Sequence, residues 1–289
     1  MSNDTYRFTL GSYECLIVSD GTLTYTPPMF PPPATLLFMN APKTMLNKSL
    51  KAYGLHTDTW MSWVSPYLCV VINTGDHRVL IDTGAGALAP STGRLLPSLR
   101  AEGILADTID IVILTHGHPD HLGGNTRDGA VMFPNARFVV GQVEWEFWTS
   151  TPDLKADEHT QHLLVTTAQN NLLPLANRVT CIRHEEEIVP GIQMIPAPGH
   201  TPGHMVVEVS SNNERLLCIG DTVLHPIHVE HPDWHAVVDI IPEQVLTTRQ
   251  QLFTRASEKG ALVLAFHFPF PGLGHIIETD KLWKWRPLC

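Results

Sequence analysis

The stretch THGHPDHLGG, residues 115–124, places three histidines and one aspartate within six positions, directly after the apolar run IDIVILT. A compact apolar run of this kind reads as a buried strand, so the cluster sits where a strand leaves the core. On an extended chain residues two apart project from the same side, so His116 and His118 can reach one ion. Pro119 breaks the run, which lets Asp120 and His121 turn and offer a second pair. Neutral imidazole suits zinc, copper, iron and nickel, and a carboxylate widens the choice to magnesium and manganese. A single histidine here would read as a polar loop residue; four donors in six positions point to metal. Any fold for this chain must bring that strand end to the same point as whatever completes the ligand set.

Three later segments offer the completion. APGHTPGHM carries His200 and His204, RLLCIGDTVLH sets Asp221 behind an apolar strand, and ALVLAFHFPFPGLGH sets His267 behind another. A carboxylate at the end of a buried strand is costly unless compensated. His116, His118, Asp120, His121, His200, Asp221 and His267 together exceed one tetrahedral zinc. They suit two ions sharing one carboxylate and one water-derived hydroxide. His275 is a competitor eight positions beyond His267, which is preferred because it directly ends ALVLAF. His56, His159 and His162 read as surface residues, and His225, His228, His231 and His235 as a loop after Asp221, one of them a candidate for lining a pocket.

Around these sites strands and helices intermix. YRFTLGSYECLIVSD reads as two strands about Gly11-Ser12, and LCVVINTG and HRVLIDTG as a pair turning at Gly75-Asp76. ARFVVG, RVTCI, IVPGIQMI, MVVEV, RLLCIG and, as the last strand, ALVLAF follow. Helices are expected at PKTMLNKSLKAYGL, closed by Gly54, and at TGRLLPSLRAEG, VEWEFWTS, EHTQHLLVTTAQNNL and PEQVLTTRQQLFTRASEKG. No linker or composition break interrupts them, which predicts one α/β domain over residues 1–289. Residues 21–68 are less regular: TPPMFPPPATLLF holds five prolines and TWMSWVSPYL two tryptophans and a tyrosine. They read as an N-terminal arm packed on the core or serving as a lid over the active site.

Composition bounds the partners. A hydrophobic fraction of 43% with 17% charged residues favours one substantial core, and a net charge of −10 argues against nucleic acid or anionic membrane as a partner. No apolar run approaches the ~20 residues of a spanning helix. MSNDTYRFTL lacks the basic leader and apolar core of a secretory signal, so a cytoplasmic protein is expected. Cys15, Cys69, Cys181, Cys218 and Cys289 form no C-x-x-C pair and are odd in number, which argues against a disulfide framework.

H-x-H-x-D-H, followed by G-H-T-P-G-H, G-D and a C-terminal histidine, resembles the metallo-β-lactamase fold superfamily, and LIDTG at 80–84 fits its pattern. The resemblance implies an αββα sandwich, two mixed β-sheets flanked by helices, with the metals at one edge. It assigns His116, His118 and His200 to one metal, Asp120, His121 and His267 to the other, and Asp221 to both. His204 and Asp82 match residues that orient ligands, a role with a clear physical basis. HFPFPGLGHI with WKWRP, and HPDW at 231–234, are similar to methyl parathion hydrolases and quorum-quenching lactonases. That branch implies a small-molecule ester or lactone substrate and is compatible with a homodimer.

The expected activity is dinuclear hydrolysis of a lactone or aryl ester by a metal-bridging hydroxide. Phosphotriester hydrolysis, or iron-dependent oxygen chemistry on the same fold, are the alternatives. Two divalent ions are expected, zinc first, with manganese, cobalt or iron accepted by the same ligands. Asp120, Asp221 and His225 are the catalytic candidates; Phe30, Trp148, Leu224 and Phe268 are candidate pocket walls. Better-known lactonases carry a substrate-contacting tyrosine three residues after the bridging aspartate; here that position is Leu224, followed by His225. Gly84-Ala85-Gly86 and Ala89 imitate a dinucleotide fingerprint, yet Pro90, Ser91 and Gly93 interrupt the helix it needs. G-x-S-x-G and H-E-x-x-H are both missing from the sequence, which removes serine-hydrolase and helix-borne metalloprotease chemistry.

Overall fold

The computed structural model describes residues 4–154, 156–279 and 282–288. Cys289, and the first three residues of the expected leader-free terminus, lie outside the described residues. Strand alternation builds the layers, because successive side chains on a strand face opposite ways. In β1 (Thr5–Leu10), β2 (Tyr13–Tyr25) and β3 (Trp63–Asn73), Leu10, Cys15, Ile17, Leu68, Val70 and Ile72 turn to one core. Leu16, Val18, Cys69 and Val71 turn to another on the opposite face.

The first sheet continues through β4 (Arg78–Ile81), β5 (Ile111–Ile113), β8 (Arg137–Gly141) and β9 (Val179–Ile182) in the order β1-β2-β3-β4-β5-β8-β9. β6 (Thr126–Arg127) and β7 (Ala130–Val131) form a separate small hairpin. The second sheet runs in chain order: β10 (Glu186–Val189), β11 (Ile192–Pro196), β12 (Met205–Ser211), β13 (Glu214–Cys218), β14 (Leu262–Leu264), β15 (Leu273–Thr279) and β16 (Leu282–Pro287). Both sheets are mixed: β4, β5, β8 and β9 run parallel in the first, and β13 and β14 in the second.

Val207, Val209, Leu216 and Cys218 of the second sheet meet Ile17, Val70 and Ile81 of the first in the central core. Burying each Val, Leu or Ile side chain there contributes about 1.5–3 kcal/mol. Outside the first sheet lie α3 (Leu95–Ala101), α5 (Gln142–Thr149) and α6 (Glu158–Leu172), the last opened by Asp157, whose carboxylate accepts from Thr160 N–H. Outside the second lie the short α7 (Ile227–Glu230), packed through Val229, and α8 (Pro242–Glu258), whose Val245, Leu252, Phe253 and Ala256 form the inward stripe. The result is the expected αββα sandwich.

Two expectations are corrected. ALVLAF is not the last strand: β15 and β16 pair from Thr279–Leu282 back to Gly274–Pro287. Residues 21–68 are not wholly an arm either, since residues 21–25 continue β2 and 63–68 begin β3, paired as Tyr25–Trp63 and Gly21–Tyr67. Between them, α1 (Pro33–Leu37) and α2 (Lys43–Leu50) form the irregular remainder, with Gly54 closing the second helical segment in the left-handed region at φ 68°. Leu37, Phe38, Leu46, Leu50 and Trp60 pack on Leu224, Ile227 and Trp234, so the arm is bolted to the loop after Asp221.

Candidate metal centre

The seven expected donors converge where strands of both sheets end. β5 delivers His116 and His118, and Pro119 then starts the short helix α4 (Pro119–Leu122) carrying Asp120 and His121. His200 follows β11, Asp221 follows β13 and His267 follows β14. One donor atom each from His116, His118, His200 and Asp221 lie within 4.8 Å of one another, and so do atoms of Asp120, His121, Asp221 and His267. Asp221 belongs to both sets. His118 Nδ1 stands 3.1 Å from His116 Nε2 and 2.9 Å from His200 Nε2. Asp221 Oδ2 is 3.0 Å from His267 Nε2, and Oδ1 is 3.0 Å from His121 Nε2.

In His121, His200 and His267 the other ring nitrogen is held from behind, which fixes which atom faces the centre. His121 Nδ1 meets Asp82 Oδ2 at 2.7 Å, and the same carboxylate accepts from Thr115 N–H and Oγ1–H. His200 Nδ1 donates to Asp239 Oδ1 at 2.8 Å, and His267 Nδ1 meets Ser65 Oγ at 2.7 Å. His204 does not enter either donor set: its Nε2 accepts from the Asp221 backbone N–H. Gly220, at φ 49°, must be glycine, because a Cβ there would lie 2.7 Å from that nitrogen.

A cation fits this donor set. His121 Nε2 and Asp221 Oδ1, although 3.0 Å apart, make no hydrogen bond with each other or with any other group, and buried atoms left so are expensive unless something satisfies them. Burial first, then neighbouring histidines, holds His116 and His118 well below the ordinary histidine range, which leaves them neutral ligands. Burial works against charge on His121 and His200 too. There the carboxylates win: His121 rises well above its usual range through Asp221 and Asp82, and His200 to about 9 through Asp221 and Asp239. Burial also opposes charge on Asp221, yet His121 and His267 hold it well below the usual carboxylate range.

Sequence reading missed three supports. Glu144 on α5 is fully buried and takes four donors: Gly117 N–H and Trp148 Nε1–H on Oε1, Thr201 Oγ1–H and Gly203 N–H on Oε2. It thereby ties the loop of His116 and His118 to the loop of His200. Asp239 is the second, and Arg249 the third; the buried guanidinium donates to the carbonyls of Thr222, Pro232 and Trp234. No motif marks them, since each sits in an ordinary-looking helix or loop.

The expected pocket walls lie in different surroundings. Trp148 is fully buried behind His118, ring centroids 5.5 Å apart, and Gly117 leaves room for its indole. Phe268 packs against Trp285 in the core under α8, and Leu224 against the arm; neither side chain is open to a cleft. Phe30 is half-buried on the Tyr25 ring. His225 sits among Phe38, Tyr53 and Trp60; its Nδ1 accepts from Ile227 N–H, and burial pushes it down to about 3. His228 is a buried strut to the Leu37 carbonyl. His275 bonds to the Ala261 carbonyl, away from both donor sets, and His56, His159 and His162 are exposed.

Residues 62–267 match the family model described as the metallo-beta-lactamase superfamily. The chain belongs to that superfamily. An N-acyl homoserine lactonase from a Bacillus species is 29% identical over 176 residues, 53% of this chain. The aligned part spans 63% of that relative. The solved structure of AidC, a dizinc quorum-quenching lactonase in complex with a product, N-hexanoyl-L-homoserine, superposes with a TM-score of 0.89 at 25% identity, covering 99% of this chain and 97% of AidC. A hydrolase named AbOPH superposes at 0.87 with 27% identity, covering 100% and 99%. The fold and a centre for two divalent ions are thus shared with characterised members. No helix of the described residues is long and apolar enough to cross a membrane.

Proposed function

We propose that this chain is a single-unit, cytoplasmic dinuclear hydrolase, zinc-loaded, that opens N-acyl homoserine lactones and related lactones and cleaves aryl esters. The observation that carries the reading is Asp221, shared by two compact four-residue donor sets. The lactonase names of similar proteins support the substrate class. His116, His118, His200 and Asp221 would hold one ion, and Asp120, His121, His267 and Asp221 the other. Two such ions supply Lewis acidity and lower the pKa of a coordinated water towards neutrality.

The chain's own residues do the rest. Asp82, Asp239 and Ser65 hold the imidazoles of His121, His200 and His267 with Nε2 facing inward. Asp120 keeps 13% of its side chain exposed against 4% for Asp221, so it is the carboxylate placed to take the proton of the attacking water and return it to the leaving alkoxide. His225, neutral with Nδ1 engaged, offers Nε2–H as a donor on the arm side. The arm between residues 26 and 62 acts as a cap on the loop after Asp221. A homodimer belongs to the same reading, and light scattering on the purified protein tests it.

The deciding experiment is a panel of acyl homoserine lactones, aryl esters, phosphotriesters and a β-lactam, run on metal-quantified protein. Zinc with fast lactone or aryl ester turnover is expected. Iron with oxygen consumption, or a phosphotriester cleaved faster than any lactone or ester, would sink the assignment.

A further inference from the structure

Beyond its bulge, β2 stays paired with β3 as far as Tyr25–Trp63, through Leu23–Ser65 and Gly21–Tyr67. Directly opposed residues share a sheet face, and so do residues two apart. Tyr25 therefore lies on the same face as Trp63, Ser65 and Tyr67. That face abuts His267: Ser65 Oγ is 2.7 Å from its Nδ1, and the Trp63 and Tyr67 rings stand 5.9 and 5.6 Å from its ring. Tyr25 in turn packs on Trp63 at 5.0 Å.

The two phenols meet at 2.9 Å, Oη to Oη. They have two hydrogens between them and one mutual bond. Tyr67 is fully buried, and among the described residues its hydroxyl has Tyr25 as its hydrogen-bond partner. Were Tyr25 the donor, the Tyr67 hydrogen would be buried without an acceptor, a cost the opposite orientation avoids. Tyr67 therefore donates, and the Tyr25 O–H is left to point elsewhere. Tyr25 is only partly buried, and Asp120, the more open of the two centre carboxylates, is the charge that acts most strongly on both phenols.

We infer that Tyr25, oriented by Tyr67, is a substrate-contacting residue whose O–H donates a hydrogen bond to an oxygen of the scissile ester beside Asp120 and His267. The phenol keeps its proton throughout; it stabilises charge developing on that oxygen, as a preorganised donor does. Leu224 is walled into the core against the arm, so a contact of this kind comes from β2 and not from that position. The inference rests on the hydrolase reading above.

The test uses the full chain with both metals bound, as Tyr25→Phe and Tyr67→Phe. Three quantities are measured for each: metal content, kcat and KM on N-hexanoyl homoserine lactone, and calorimetric affinity for its ring-opened product. Tyr25→Phe is expected to keep its metals and lose about 10- to 100-fold in kcat/KM, with weaker product binding. Tyr67→Phe should lose less, because the donor survives with a looser aim. Tyr25→Phe matching the wild type in rate and product affinity, or Tyr67→Phe losing more than Tyr25→Phe, overturns the assignment. A metal-loaded wild type that binds the product but opens no lactone sinks the lactonase reading alone, and product binding by Tyr25→Phe then decides the phenol. One that does neither overturns both.

Discussion

Glu144 shows how much of this centre is built by residues that never touch it. Its carboxylate gathers four donors from two ligand-bearing loops, so Glu144→Gln would turn an amide NH2 against one of those donor pairs. Leaving buried donors unpaired costs about 1–3 kcal/mol each. Affinity at the His116, His118 and His200 position should fall about 10- to 100-fold, read by competition with a chelator. An unchanged affinity would reduce Glu144 to a core residue. Asp239 makes a pH-resolved prediction. Burial opposes its charge, but the His200 hydrogen bond and Arg249 hold it at about 2 against an ordinary 3.8. A depressed carboxylate contributes stability that is full above its unfolded pKa and lost as pH falls through the folded one. In metal-free protein, Asp239→Asn should therefore lack a stability loss on the order of 2 kcal/mol that the wild type shows across that window, measured by urea midpoints. The seven donors were legible because histidine and aspartate at strand ends are rare and chemically costly. Glu144, Asp239 and Arg249 were not, because a buried charge cannot be told from a surface charge until its partners are known.

At the level of elements, the arm and the C-terminal hairpin were read least well, for different reasons. β16 alternates exposed and half-buried residues, Leu282 exposed and Trp283 half-buried, so it carries almost no apolar run to announce it. The ends of the arm were obscured by prolines; the pairing that continues β2 into Tyr25 depends on β3 arriving 38 residues later. By contrast, LCVVINTG and HRVLIDTG are continuous apolar runs buried on both faces, and their turn falls where Gly75 adopts φ 95°. The arm is fixed by backbone bonds from Met39 N–H to the His235 carbonyl and Val237 N–H to the Leu36 carbonyl, and by His228 to the Leu37 carbonyl. In neutral His228, Nε2 carries the proton for Leu37 while Nδ1 accepts from Leu224 N–H. His228→Ala strands both groups and should cost about 2–5 kcal/mol through lost packing and unpaired backbone. Faster amide exchange should then be confined first to α1, α2 and the loop after Asp221. Exchange that rises uniformly across both sheets would mean the arm is not a separate cap.

For the whole molecule, the metal centre is the point where two sheets that share one core also share their chemistry. β5 comes from the first sheet, β11, β13 and β14 from the second, and Asp221 touches both donor sets. Cation binding should accordingly stabilise the sandwich as a unit. At 1,000 times Kd each site adds about 4 kcal/mol, so chelation should lower Tm and zinc should restore it. The sign with pH follows from the raised His121 and His200: both hold protons at neutral pH without metal, so binding releases protons and weakens as pH falls. Asp120 and Asp221 then separate a shared ligand from a single one. Asp120→Ala removes a donor from one set only and should leave one metal bound per chain, with activity lost. Asp221→Ala removes a donor from both sets and takes away the carboxylate that lies 3.0 Å from both His121 and His267. It should lose both metals, lower Tm to that of chelated wild type and abolish turnover. Elemental analysis decides between them: an Asp221→Ala protein that retains two metals would mean that Asp221 does not hold the two halves of the site together.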